Sequence, residues 1–382
     1  MSSPRYDLII AGGGIVGSAC ALACTRAGLR VALVERDVFG SGATAAGMGH
    51  IVVMDDSEAQ FALTRFSQEL WMQLGKELPA AAEYCQRGTI WVAADEEEMV
   101  EAERKHRFLR ERKVPCQLLS PSALAASEPK LRPGLAGGLL VSDDAIVFAP
   151  AVSAWLAQQA AAAGATLITG HAVTALRQGE ALLGDGRVLH AEHLLNATGA
   201  EARTLHAGLP VRKRKGQLAI TDRYPGFAHH QIVELGYLKS AHSNSRQSVA
   251  FNIQPRPNGQ ILIGSSRQFD DEGGALDRQH LARMLERVFS YMPALAELNV
   301  LRTWTGFRAA TPDKLPLIGP AGGADASLWL ATGHEGLGCT TALATAKLIA
   351  AQLCGSPSPI APQPYLPARF LSQDFHSSEE IA

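Results

Sequence analysis

A Gly12-x-Gly14-x-x-Gly17 turn lies between a short apolar run, 6–11, and a run of small and apolar residues, 15–27, that stops at Gly28. Strand, tight turn, helix and glycine cap follow in that order, and 29–35 is a second strand-like run ending on Glu35. A compact parallel βαβ unit is the fold this pattern demands, because the crossover returns the chain beside its first strand. The first glycine permits the turn, the second lets backbone approach a pyrophosphate, and the third lets helix and strand pack closely. The helix N-terminus then faces the phosphates. Glu35 stands where it accepts hydrogen bonds from an adenosine ribose, and its charge repels a 2′-phosphate. The unit predicts an adenine dinucleotide other than NADP, held by Gly12, Gly14, Ile15, Val16, Gly17, Glu35 and Arg36.

Three further small-residue clusters decide which dinucleotide. Ser41-Gly42-Ala43-Thr44-Ala45-Ala46-Gly47-Met48-Gly49-His50 excludes bulky side chains, and its Thr44 offers a hydroxyl to phosphate or flavin; the alternative is a tightly packed turn. Asn196-Ala197-Thr198-Gly199-Ala200 ends a strand-like run, and 332–338 leads into an apolar helix reaching Leu353. Amides and a positive helix end at 332–338 suit the electron-rich N1 and O2 side of a reduced isoalloxazine.

The rest of the chain reads as ordinary globular protein. With 382 residues, 47% hydrophobic and 19% charged, it has the length of two domains or one large composite one, and neither a disordered nor a coiled-coil composition. Helical periods cover 59–78, 96–113, 150–163 and 277–291, with strands at 89–94, 165–169, 191–197 and 328–331. Between 216 and 264 the runs 217–221, 249–254 and 260–263 are of β type, broken by Asn, Gly and Pro as in an antiparallel sheet. A net charge of -2 without a long basic tract argues against nucleic acid or an anionic membrane surface. The six cysteines are scattered without CxxC pairs, so they read as free thiols in a reducing compartment and supply no iron-sulfur relay. No histidine pattern marks a metal site. The N-terminus lacks a signal-peptide pattern and no apolar run reaches the roughly 18 residues of a membrane span. A cytoplasmic protein is the expectation.

The order of these segments, with Trp304-x-Gly306-x-Arg308-x-x-Thr311-Pro312-Asp313-x-x-Pro316-x-Ile318-Gly319 before the last cluster, resembles the D-amino-acid oxidase family of FAD enzymes, which includes glycine and sarcosine oxidases. The resemblance covers nearly the whole chain. It implies an α/β fold: a discontinuous Rossmann-like FAD-binding domain with a parallel sheet and βαβ unit (1–85, 145–215 and 305–382). An α+β substrate domain with an antiparallel sheet (86–144 and 216–304) completes it. It also implies flavin contacts from Ala43, Thr44, Gly47, Met48, Gly49, Val173, Ala197, Thr198, Gly199, Gly333, His334, Glu335, Gly336, Leu337, Gly338 and Thr340. Segments 236–242, 254–256 and 264–267 look closest to the catalytic flavin subunits of hetero-oligomeric D-hydroxyproline dehydrogenases and opine oxidases.

Arg308 is the first catalytic candidate. In the family the arginine of Gly-x-Arg pairs with the substrate carboxylate, and a planar guanidinium offers two donors at the spacing of carboxylate oxygens. The alternative is a surface arginine beside Asp313. His50 and His334 either orient substrate or flavin or pack against backbone. The chain departs from glycine oxidase-like members by placing Asn252 where they have a tyrosine, so Tyr237 is a candidate to supply that hydroxyl. Gly306 and Phe307 stand where sarcosine oxidase-like members carry a flavin-linking cysteine, which implies noncovalent FAD; Cys339 lies in a different motif.

The family chemistry is hydride transfer from the substrate α-carbon to flavin N5, giving an imine without need of a side-chain base. A loop at 232–242 with Glu234, Tyr237, Lys239 and His242 is expected to form a lid or amine-side wall. Lys239 either activates oxygen or is a solvated loop lysine. The expected substrate is a small secondary or D-amino acid such as hydroxy-D-proline; the alternatives are an opine or a self-sufficient glycine- or sarcosine-type oxidase producing hydrogen peroxide. A dehydrogenase version needs further subunits or a diffusible acceptor to carry electrons, and an oligomer is expected. Rival classes are an NAD-dependent dehydrogenase, which has no use for three further glycine clusters, and a noncatalytic electron-transfer subunit, which has no use for Arg308.

Overall fold

The computed structural model describes residues 5–236, 247–269 and 271–370. Its chain divides into two compact units, the first from Met1–Ala82, Phe148–Lys213 and Phe307–Ala382, the second from Glu83–Val147 and Arg214–Gly306.

The first unit is built on five parallel strands in the order Thr166–Thr169, Val31–Glu35, Arg5–Ala11, Val188–Asn196, Leu328–Thr332. Leu317–Pro320 adds an antiparallel edge, and the hairpin Val173–Arg177 and Glu180–Leu183 extends the early half of Val188–Asn196. Register is what positions the site. Ala11 lies opposite both Val34 and Asn196, Asn196 lies opposite Leu330, and Glu35 lies opposite Thr169. The carboxyl ends of these strands are therefore nearly level, and that edge of an open α/β sheet is where ligands bind. The helix Ile15–Arg26 packs between Gly338–Leu353 and Ala149–Ala162. It is buried on nearly every side, which its run of Gly17, Ser18, Ala19, Cys20 and Ala21 permits. On the opposite sheet face Ile9, Ala11, Ala32 and Val34 cluster with Leu176, Ala181 and Leu183.

The second unit's sheet runs Val300–Ala310, Arg212–Thr221, Ile261–Gln268, Gln247–Pro255, Gln231–Glu234, Thr89–Ala93, Gly137–Val141, Cys116–Leu119. Its first two strands carry the chain across the divisions between units. Gln231–Glu234 and Thr89–Ala93 pair in parallel, whereas Arg212–Thr221 with Ile261–Gln268, Ile261–Gln268 with Gln247–Pro255, Gln247–Pro255 with Gln231–Glu234, and Gly137–Val141 with both its neighbours pair antiparallel. The helix Arg278–Tyr291 covers one face, placing Met284, Val288 and Tyr291 against Ile90, Phe251, Ile253 and Ile263. Asp277 caps it, its carboxylate accepting from His280 N at 3.0 Å.

The strand Val300–Ala310 escapes the sequence reading, although it carries Arg308. An edge strand with half-exposed side chains lacks the alternation that marks a buried face. Gln231–Glu234 escapes for the opposite reason: it is buried on both faces and only four residues long.

Candidate active site

The dinucleotide turn has the geometry its glycines promise. Gly12 has φ +103°, and a Cβ there would stand 2.7 Å from the Ala197 carbonyl oxygen. A Cβ on Gly17 would stand 1.9 Å from the Gly12 oxygen, so helix and turn touch backbone to backbone. Glu35 is buried; its carboxylate accepts from Gly13 N at 2.6 Å and from Asp37 N at 2.9 Å. These bonds fix the carboxylate at the strand end while leaving acceptor capacity for a ribose diol. Arg36 is exposed and pairs with Asp37, so of the seven residues at this turn its side chain is the one turned outward.

Thr44 is buried, and its hydroxyl oxygen accepts from Ile15 N at 3.0 Å, tying the Gly42–Ala46 helix to the start of Ile15–Arg26. The hydroxyl proton stays available to a phosphate. Val16 and Met48 are buried, and Gly49 leads into the two-residue strand His50–Ile51. Thr340 holds that strand: its hydroxyl donates to the His50 carbonyl at 2.8 Å and accepts from Val52 N at 3.3 Å. Its side chain thus joins two of the segments expected to hold the cofactor and has no proton left for a flavin. Beside Glu35, His171 N donates to the Glu35 carbonyl at 3.2 Å, which brings the start of Val173–Arg177 near the same strand end.

Ala197 N donates to the Ala11 carbonyl at 2.9 Å. Thr198 is spent locally, its hydroxyl donating to Asn196 Oδ1 at 2.7 Å, and the Gly199 carbonyl accepts from Thr332 Oγ1 at 2.9 Å. The Asn196–Gly199 and Thr332–Gly333 segments are thereby joined. His334 is buried with Nε2 at 3.0 Å from Thr345 Oγ1. Burial pushes its pKa down to about 4, so the ring is neutral at physiological pH. Of the two roles open to His334, the packed histidine is the one its partner favours. Glu335–Leu337 forms one 3₁₀ turn before the helix Gly338–Leu353.

Arg308 reaches that turn. A Cβ on Gly336 would lie 3.7 Å from Arg308 Nε, which puts the guanidinium beside the glycine loop. Asp313, the alternative partner, is taken by Arg369 instead, with Nε donating to Oδ2 at 2.6 Å. In the second unit Asn252 is 7% exposed, and its Oδ1 has no hydrogen-bond partner among the described residues. Tyr237, Lys239 and His242 lie outside the described residues. Glu234 departs from the expected lid: it is buried on the side of Arg278–Tyr291, accepting from Phe251 N at 2.6 Å and Tyr291 Oη at 2.9 Å and pairing with Arg287. Strand alternation explains this, because Glu234 shares a face with core residue Ile232. Arg369 is the residue sequence reasoning missed, for no periodicity or motif marks it.

Among the described residues no group of His, Cys, Asp or Glu could hold a metal ion, and no helix is long and apolar enough to cross a membrane. The glycine cradle, the fixed carboxylate of Glu35 and the level strand ends fit an extended dinucleotide.

The family pattern described as FAD dependent oxidoreductase matches residues 7–352. A glycine oxidase of Pseudomonas aeruginosa is 30% identical over 388 residues, covering 94% of this chain and 98% of its own. Hydrogen cyanide synthase subunit HcnC of the same organism is 28% identical over 420 residues, covering 96% of each. The crystal structure of glycine oxidase from Geobacillus kaustophilus superposes with a TM-score of 0.85 at 26% identity, covering 95% of this chain and 98% of the other.

Proposed function

This chain belongs to the D-amino-acid oxidase family of FAD-dependent oxidoreductases, flavoenzymes that oxidise amino-acid C–N bonds, and from that premise we propose that its substrate is a small secondary or D-amino acid such as hydroxy-D-proline. FAD is its cofactor. We assign it to the first unit, held noncovalently by the Gly12–Gly17 turn, Glu35, the 43–49 segment, Val173, Ala197–Gly199 and the 333–338 loop. Arg308 beside Gly336 is the observation that carries the substrate reading: a guanidinium at the glycine loop offers paired donors to a carboxylate.

Bound FAD supplies the two-electron sink. The chain's part is to hold the amino acid by its carboxylate on Arg308 so that the α-carbon hydrogen is presented in one orientation. With FAD bound, the α-hydrogen and its two electrons would pass together to that sink, the nitrogen lone pair would close the C=N bond, and the iminium proton would go to water. Neutral His334, engaged with Thr345, brings no charge to the loop. Asn252 is proposed on the substrate side, since its Oδ1 accepts a hydrogen bond from a hydroxyl or amine, and Tyr237, Lys239 and His50 are proposed with it.

Likeness to glycine oxidases favours a second reading, a self-sufficient oxidase producing hydrogen peroxide. We add to the first reading a further subunit that carries electrons, as in a D-hydroxyproline or opine dehydrogenase; that HcnC is itself a subunit supports an assembly of more than one chain. Steady-state kcat/KM for hydroxy-D-proline, D-proline, sarcosine, glycine and an opine, each with oxygen and with an artificial dye, separates them. We expect the cyclic substrates and the dye to give the highest values. Glycine with oxygen outperforming both would reject this reading for the second.

A further inference from the structure

The proline-rich segment 356–370, an extended strap after the helix Gly338–Leu353, is bound to the first unit at several points. Tyr365 is 1% exposed and donates through Oη to the Ala59 carbonyl at 2.6 Å. Leu366 packs over Gly319, and Phe370 packs on the cluster of Val211, Ala309, Leu317 and Leu330. Between these anchors Arg369 wraps the turn at 311–315. Its Nε donates to Asp313 Oδ2 at 2.6 Å, and Nη2 donates to Asp313 Oδ1 at 3.1 Å and to the Leu315 carbonyl at 2.8 Å. The same carbonyl accepts from Thr311 Oγ1 at 2.8 Å, and Leu315 N donates to Asp313 Oδ1 at 3.1 Å. A lone partly exposed ion pair contributes little, but a two-pronged guanidinium that also binds a carbonyl fixes geometry.

What the turn touches gives this its meaning. It follows Arg308 by three residues, and Lys314 within it holds φ +62°, a conformation that a side chain adopts only when its surroundings impose it. Thr311 also presses on the flavin loop: a Cβ on Gly333 would lie 2.6 Å from Thr311 Cγ2. Phe370, next to Arg369, packs on the cluster containing Ala309, the residue after Arg308. The strap thus holds the strand end that carries Arg308 through two contacts, Arg369 on the 311–315 turn and Phe370 on the cluster of Ala309.

We propose that Arg369 is a positioning residue for the substrate carboxylate, acting through Asp313 and the 311–315 turn to hold Arg308 against the glycine loop. This rests on the reading of Arg308 as the carboxylate ligand.

The test uses full-length FAD-loaded protein and acetate, a carboxylate without an amine, titrated by its perturbation of the flavin absorbance. Arg369→Gln is expected to weaken acetate binding roughly tenfold, because Arg308 is no longer held in one orientation, with FAD content retained. Asp313→Asn gives the same loss, and the double variant loses no more than either single one. Arg369→Lys keeps the charge without the fork and falls between parent and Arg369→Gln. Should Arg369→Gln fail to load FAD, Arg369→Lys is read in its place. Parental acetate affinity in the variant that is read, with Arg308→Met binding none, overturns the positioning role, as does a lowered melting temperature with unchanged acetate affinity. Acetate binding by Arg308→Met as tight as the parent's overturns instead the reading of Arg308.

Discussion

Arg308 is the one side chain proposed to fix the substrate carboxylate. Arg308→Met is expected to cost on the order of 2 to 5 kcal/mol in kcat/KM, since a charge-assisted bidentate pair in a partly desolvated site is lost, while FAD stays bound. Parental kinetics in that variant would reduce Arg308 to a packing residue. His334 yields a pH prediction. Its folded pKa, about 4, lies below the unfolded value near 6.5, so the unfolded chain binds more protons between the two. Its contribution to stability is therefore fully present above the unfolded pKa and lost as pH falls through that window. Between pH 7 and pH 5 the loss is on the order of 2 kcal/mol. Urea unfolding of His334→Gln should show a correspondingly shallower decline over the same range; equal declines in parent and variant would contradict the burial of a neutral ring.

Elements with a single strong period or a glycine signature were legible in the sequence, and those shaped by their neighbours were not. The βαβ unit announced itself because Gly12, Gly14 and Gly17 each answer a separate steric demand and small residues fill Ile15–Arg26, and the helices Glu96–Glu111 and Arg278–Tyr291 follow from apolar spacing and caps. Strand Val300–Ala310 was illegible because its mixed side chains sit half-exposed at a sheet edge. Glu234 read as a lid residue because a buried carboxylate with three partners on other elements leaves no local signal. The candidate site divides in the same way. Its backbone cradle is written in glycines, whereas the use of Thr340 and Thr198 as internal ties depends on strands far apart in sequence. The cradle makes its own prediction. Gly12→Ala meets both a positive φ, costing about 1 to 2 kcal/mol, and a carbonyl oxygen at 2.7 Å, so it should purify with much less FAD than the parent. Full flavin content, measured from the visible absorbance, would show that the turn does not hold the dinucleotide.

Across the whole molecule, three separate stretches of chain converge on one parallel sheet, and the strand ends that meet there belong to the segments holding glycine clusters. Assembly of that edge from sequence-distant pieces explains why each motif is modest alone and specific in combination. The C-terminal strap closes on the same unit, so its apolar residues Tyr365 and Leu366 are spent within the chain. The central claim is that this assembly oxidises an amino acid at its C–N bond with tightly held FAD. It is tested most directly by mixing the purified, oxidised protein with a small excess of hydroxy-D-proline, D-proline, sarcosine or glycine without oxygen and following the flavin absorbance. The account predicts that at least one of these bleaches the flavin fully and yields its imine or the hydrolysis product, and that Arg308→Met under the same conditions does so far more slowly. A flavin that stays oxidised with every amino acid, while dithionite reduces it normally, would contradict it.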